Sequence, residues 1–155
     1  MPQLSLHSPL GPLTLTEEDG KLISLDWGWG RDQTENPQLC EARDWLDQWF
    51  DDPKTAKPFP LPLEPFGTVY QKKIWAALCD IPVGTVITYK ELAERAGGSP
   101  RSAGQAVGRN PIPILIPCHR IVSSTHPGGY SGDGGIDDKL WLLELEEATL
   151  PFTKK

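Results

Sequence analysis

A chain of 155 residues can bury a true core, as one domain or two small ones, and it holds no apolar run near the ~20 residues that would span a bilayer. Its three cysteines, at 40, 79 and 118, are too few and too scattered for a disulfide framework or paired zinc ligands; they fit a reducing, cytoplasmic setting. A formal net charge of −6 argues on its face against a phosphate-binding protein.

The charge is unevenly spread. Residues 17–52 carry eleven acidic side chains against three basic ones, while residues 85–122 carry five basic against two acidic. The acidic half reads first as a solvated surface. The opening MPQLSLHSPLGPL lacks a basic stretch followed by an apolar core, so no secretory signal is expected there.

Residues 3–7, 12–16 and 21–27 alternate or run apolar, with turn signals at Ser8-Pro9-Leu10-Gly11 and Glu18-Asp19-Gly20. That pattern predicts a three-stranded antiparallel meander. Asn36-Pro37 then starts a helix to about Phe50, with Asn36 as N-cap and Pro37 in the first turn. Leu39, Ala42, Trp45, Leu46, Trp49 and Phe50 recur at helical spacing and read as core. Residues 51–65 are rich in Pro and Lys, lack periodicity, and read as an interdomain linker with room for some extended pairing.

A second helix is expected over 67–79 and a turn over 81–86. Thr88, with Glu91 three residues on, makes a capping box for a helix to Ala96. Gly97-Gly98 ends it, and Ser99-Pro100 opens another helix from Arg101 to about Arg109. Helix, glycine turn, helix is the helix-turn-helix pattern, weakly specific by itself. The second of these helices is nearly bald: Ser102, Ala103, Gly104, Ala106 and Gly108 leave its backbone open to close approach, by a neighbouring helix or by a ligand. A last helix is expected from Asp137 to about Glu147, with acidic residues at its start.

The chemistry concentrates in Asn110–Val122, NPIPILIPCHRIV. Prolines 111, 113 and 117 fix φ and remove backbone donors, so the segment is expected to be a stiff, extended loop ending at Cys118 and His119. A thiol beside an imidazole can become a nucleophile, because the thiolate is the reactive form. On an extended chain the two side chains diverge, so a water would bridge them and a third group would orient the ring. The competing reading makes Cys118 an inert, buried small hydrophobe.

This segment closely resembles the active-site signature of the 6-O-alkylguanine-DNA alkyltransferases, the methylated-DNA–protein-cysteine methyltransferase family. The Pro117-Cys118-His119-Arg120 core and Asn110, eight residues before the cysteine, carry the likeness, which runs from about Phe66 to Glu146. The resemblance implies an α+β chain. Residues 1–64 would form a ribonuclease H-like domain of small antiparallel sheet plus helix. Residues 65–155 would form a mostly helical, winged-helix-like domain for DNA binding and alkyl transfer.

It also implies roles. Cys118 takes the alkyl group, His119 draws its proton through water, and Glu146 orients His119, with Glu144 and Glu147 as neighbours in sequence. Tyr89 donates a proton at the base, and Asn110 holds the turn between recognition helix and active loop. Tyr89, Arg101, Ser102, Ala103, Gly104 and Arg109 would meet DNA through the minor groove, with Arg101 replacing the extruded base. Tyr130, Ser131, Pro113 and Val122 would form the substrate pocket. No cofactor, metal or membrane is implied, and the partner is double-stranded DNA holding alkylated guanine, bound by a monomer. Two departures stand out: a shorter stretch between Tyr89 and Arg101, and a short insertion at Asp133-Gly134-Gly135.

Three rivals follow from the same residues. A binding module for alkylated guanine would lack the reactive cysteine. A cysteine hydrolase would need an oxyanion hole. A DNA-binding regulator with an incidental thiol would survive loss of Cys118.

Overall fold

Leucines alternating with small polar residues build the first sheet. In the computed structural model, which describes residues 1–130 and 134–151, β1 (Gln3–Leu6), β2 (Leu13–Glu18) and β3 (Lys21–Trp27) form an antiparallel meander. Leu4, Leu15 and Leu25 are cross-strand partners, as are Leu6, Leu13 and Trp27. Those five leucines are buried, and each contributes roughly 1.5–3 kcal/mol on leaving water. The opposite face is closed by hydroxyls. Ser5 and Thr14 bond to each other at 2.8 Å, and they hold Gly30 N–H and Gly28 C=O at 2.9 and 2.8 Å.

The first helix, α1 (Pro37–Asp51), starts where expected. Asn36 is extended and its side chain accepts from Leu39 N–H. Leu39, Ala42, Leu46, Trp49 and Phe50 are buried. Trp45 is half-buried; its indole N–H donates to Lys57 C=O at 2.7 Å and its ring meets Phe59 edge-on. Residues 53–64 are therefore no free linker. Leu22 N–H donates to Pro62 C=O, and Glu64 N–H to Leu22 C=O, which lays Leu63 alongside β3. The chain forms two compact units, Met1–Phe66 and Gly67–Lys155.

The second unit is helical. It comprises α2 (Val69–Cys79), α3 (Tyr89–Ala96), α4 (Pro100–Gly108) and α5 (Ile136–Leu145). Thr68, Thr88 and Ser99 close reciprocal capping boxes on the first three, which explains their sharp starts. Trp75 of α2 is buried and donates its indole N–H to Ala106 C=O of α4 at 2.9 Å. A feature the sequence reading missed joins helices to the cysteine segment: β4 (Ile87–Thr88) pairs in parallel with β5 (Ile121–Val122). Thr88 immediately precedes Tyr89 and Ile121 immediately follows Arg120, so this short ladder brings Tyr89 toward the cysteine.

The segment before the cysteine departs from the extended form expected of it. Cys118–Arg120 is one turn of 3-10 helix, and Ile116 N–H folds back onto Ile112 C=O at 2.9 Å. The prolines prevent a long helix, but they permit tight turns. Ile114 sits at φ 73°, an uncommon conformation for a β-branched residue. Asn110 holds the folded loop: its side-chain N–H donates to Ile116 C=O at 2.8 Å and its oxygen accepts from Ile112 N–H at 2.9 Å.

Candidate active site

Cys118 lies at a cavity of about 370 Å³ lined also by Tyr89, Gly104, Val107, Gly108, Gly129 and Tyr130. The cavity therefore opens between the cysteine turn, the bald face of α4 and the loop before α5. Only 4% of Cys118 is exposed. Burial pushes its thiol pKa up, while a hydrogen bond from Asn110 and the positive charge of Lys139 pull the other way. The group at rest near neutral pH is the thiol, and nucleophilic attack from it would call for a base.

A sealed polar cluster holds a candidate. His119 Nε2 meets Glu146 Oε2 at 2.9 Å, and both residues are fully buried. Arg120 donates to the same carboxylate, from Nε to Oε1 at 3.0 Å and from Nη2 to Oε2 at 2.6 Å. Its Nη1 donates to Ile81 C=O at 2.5 Å. Glu146 thus stays ionised: bonds from His119 and Arg120 overcome burial and hold its pKa at about 2. Burial lowers the His119 pKa, more than the Glu146 contact restores it. The resting imidazole is neutral, the form that can accept a proton. Glu144 and Glu147 are exposed, so Glu146 alone of the three reaches His119.

Tyr89 is half-buried, its hydroxyl pKa raised mainly by burial, and it remains protonated. Tyr130 is held protonated in the same way. Both can donate, and neither carries charge into the cavity.

Lys139 was not anticipated. It is fully buried, its ammonium donates to Gly129 C=O at 3.0 Å, and it stands 6.0 Å from the Tyr89 ring centre. Burial lowers its pKa to about 8. A signal was present: Lys139, Leu142, Leu143 and Glu146 fall at i, i+3, i+4 and i+7, one face of α5. Arg120, noted in sequence only as a neighbour, likewise proves central to the carboxylate.

Of the expected DNA contacts, Arg101 and Arg109 are exposed and Gly104 lines the cavity. Ser102 is half-buried, with its hydroxyl in the capping box. Ala103 is fully buried and its methyl points into the unit, which corrects its place among surface contacts. Pro113 is buried and is not among the residues lining the cavity. Val122 is fully buried and lines a separate hollow with Val86, Ile87 and Thr149. Ser131 lies outside the described residues. Among the described residues no cluster of His, Cys, Asp and Glu could hold a metal ion.

The sequence pattern of the 6-O-methylguanine DNA methyltransferase DNA-binding domain matches residues 69–148, and that of the family's ribonuclease-like domain matches residues 4–65. The chain belongs to this family. A methylated-DNA–protein-cysteine methyltransferase of Methanosarcina barkeri is 39% identical, across 94% of this chain and 96% of that protein. One from Mycobacterium leprae is 38% identical, across 92% and 90%. Among solved structures, the Mycobacterium tuberculosis protein OGT in complex with DNA superposes with a TM-score of 0.82 at 35% identity, covering 97% of this chain and 96% of that one. The α+β architecture, ribonuclease-like unit then helical DNA-binding unit, is that of the methyltransferase family.

Proposed function

We propose that this chain repairs DNA directly, moving the alkyl group of 6-O-alkylguanine onto Cys118, once per molecule. Family membership supports the reaction, and one observation carries the assignment of parts: Cys118 at a cavity of about 370 Å³, backed by the sealed His119–Glu146–Arg120 cluster. A base within a duplex must leave the stack to reach such a cavity. The bald face of α4 would enter the minor groove, where small residues fit, and Arg101 would take the place of the extruded base.

The chemistry then balances. Neutral His119 receives the Cys118 proton through water, and Glu146 stabilises the imidazolium. The sulfur attacks the alkyl carbon, a C–S bond forms and the C–O bond breaks. Tyr89, protonated and at the cavity wall, gives a proton to the base, so neutral guanine departs. The Lys139 ammonium stabilises the transient thiolate. Its bond to Gly129 also holds the loop beside Tyr130, the aromatic wall for the base. The product is a thioether, and no group in the cavity reverses it. No cofactor enters this sequence. We place the work on duplex DNA in the cytoplasm, by a monomer; all three cysteines are free thiols and no described helix is long and apolar enough to cross a membrane.

The hydrolase alternative fares worse. Cys118 N–H is spent on Ile116 C=O at 2.7 Å and Arg120 N–H on Pro117 C=O at 3.0 Å, so neither serves an oxyanion. Intact mass after incubation with excess duplex carrying one 6-O-methylguanine tests the proposal. The expected result is a single added methyl on the Cys118 peptide, saturating at one per protein. Unchanged mass with tight lesion binding would leave a recognition module; no change and no binding would reject repair.

A further inference from the structure

Tyr70, in the first turn of α2, has no part in the chemistry above. Its hydroxyl donates to Gly97 C=O at 3.0 Å and shares a hydrogen bond with Ser102 Oγ at 3.0 Å. Gly97 is the residue that ends α3. Ser102 is the third residue of α4, where its hydroxyl accepts from Ser99 N–H at 2.9 Å in the capping box. One phenol therefore ties together the start of α2, the end of α3 and the start of α4. Arg101 sits inside that knot, between Ser99 and Ser102.

The turn is shaped around the phenol. Gly97 and Gly98 both have left-handed φ, 98° and 82°, which suits glycine. A side-chain carbon on Gly98 would collide with the Tyr70 hydroxyl. A second side-chain hydrogen bond between α2 and α4 runs from Trp75 to Ala106 C=O, four residues beyond Ser102. Trp75 thus holds the last turn of α4, and Tyr70 holds its first turn. With the hydroxyl gone, that turn can rock about the Trp75 pivot. Tyr70 also borders an open groove of about 580 Å³ with Thr68, Gln105 and Arg109, on the flank of α4.

We propose that Tyr70 is a positioning residue for base extrusion: its hydroxyl sets the first turn of α4, and with it Arg101, at the angle that opens the duplex. This rests on the repair reading above. It separates two demands that the protein meets at once. A lesion in duplex DNA needs extrusion before transfer, whereas a free alkylguanine base needs transfer alone.

The test is Tyr70→Phe, with single-turnover transfer measured on two substrates by intact mass: saturating duplex holding one 6-O-methylguanine, and free 6-O-methylguanine base. The expected result is at least roughly fivefold slower transfer from duplex, since both hydrogen bonds of the hydroxyl are lost and each is worth about that factor, with the free-base rate unchanged. Ser102→Ala, which removes one of the two Tyr70 contacts, should also slow transfer from duplex. Equal slowing on both substrates would mark general loss of fold and overturn the proposal. So would a weaker duplex Kd with an unchanged rate at saturation, which would mark a mere phosphate contact, and so would no change at all. If the unaltered protein transfers from neither substrate, the repair reading fails and this inference with it. If it transfers from both and Tyr70→Phe matches it on duplex, only this inference fails.

Discussion

His119, Lys139 and Glu146 are wholly shut away from solvent, whereas Arg101 and Arg109 stand exposed at the two ends of α4. The first group consists of charges and dipoles that satisfy one another in a dry interior, fixed before any substrate arrives. The second carries little side chain: two arginines on a helix made mostly of Ser, Ala and Gly. The contrast teaches a division of labour. The reaction needs preorganised electrostatics, which only a sealed cluster maintains. Recognition of a lesion in any sequence context needs shape and reach, and it is better served by a plain surface with one or two long cations.

Changes that sort by region sharpen this division, and changes that do not would break it. The largest effect belongs to Cys118→Ser, which should abolish the mass shift entirely while lesion-bearing duplex still retards on a gel. Next comes Glu146→Gln. It leaves Arg120 as a buried, underpaired cation and deprives His119 of its anion, so urea denaturation should show a loss of about 3–5 kcal/mol. Transfer should slow by about 10²–10⁴-fold on duplex and free base alike. The same substitution should flatten the acid limb of stability. Glu146 has a folded pKa of about 2, below the ordinary 4.5, so its contribution is complete above 4.5 and is lost as pH falls toward 2. His119, whose folded pKa is also lowered, adds acid lability below its usual 6.5, because the unfolded chain binds a proton that the folded one refuses.

Arg101→Ala should act on one substrate only. Loss of an arginine contact worth about 1–3 kcal/mol predicts roughly 5- to 150-fold slower transfer from duplex, with free-base transfer intact. An equal loss on free base would show that α4 shapes the chemistry as well as the encounter. The smallest effect is one of stability. Lys139 has a folded pKa of about 8 against 10.5 for the ordinary group, so the folded chain carries fewer protons than the unfolded one between those values. Stability should therefore rise as pH climbs from about 8 toward 10.5. Below 8 the buried ammonium costs roughly 3–3.5 kcal/mol. Lys139→Met should recover part of that in urea at neutral pH, abolish the alkaline rise, and slow alkyl transfer.

Much of the fold was legible because its signals are local. Asn36-Pro37, Thr88 with Glu91, and Ser99-Pro100 each announce a helix start through side chains that satisfy backbone N–H groups within three residues. The β4–β5 pair was not legible: two residues per strand carry no periodicity, and parallel pairing across more than thirty residues is purely tertiary. The 3-10 turn at Cys118 was misread because proline rules forbid long helices but say little about single turns. Within the site, the pairing of His119 with Glu146 was foreseen through the family likeness. Lys139 was not, because a lysine on an apolar helix face is ordinarily assigned to the surface. Tyr70 carried no signal, since its partners Gly97 and Ser102 are brought to it only by the folded turn.

The Asn110 clamp has a consequence for length. Asn110 N–H is bonded to Val107 C=O at the end of α4, and its side chain grips both Ile112 and Ile116, two residues short of Cys118. The chain from 107 to 118 is thus a ruler with no slack, which reports the position of α4 directly to the sulfur. A ruler of this kind cannot gain or lose a division and still read true. Single-residue insertions between Asn110 and Cys118 should therefore be ruinous.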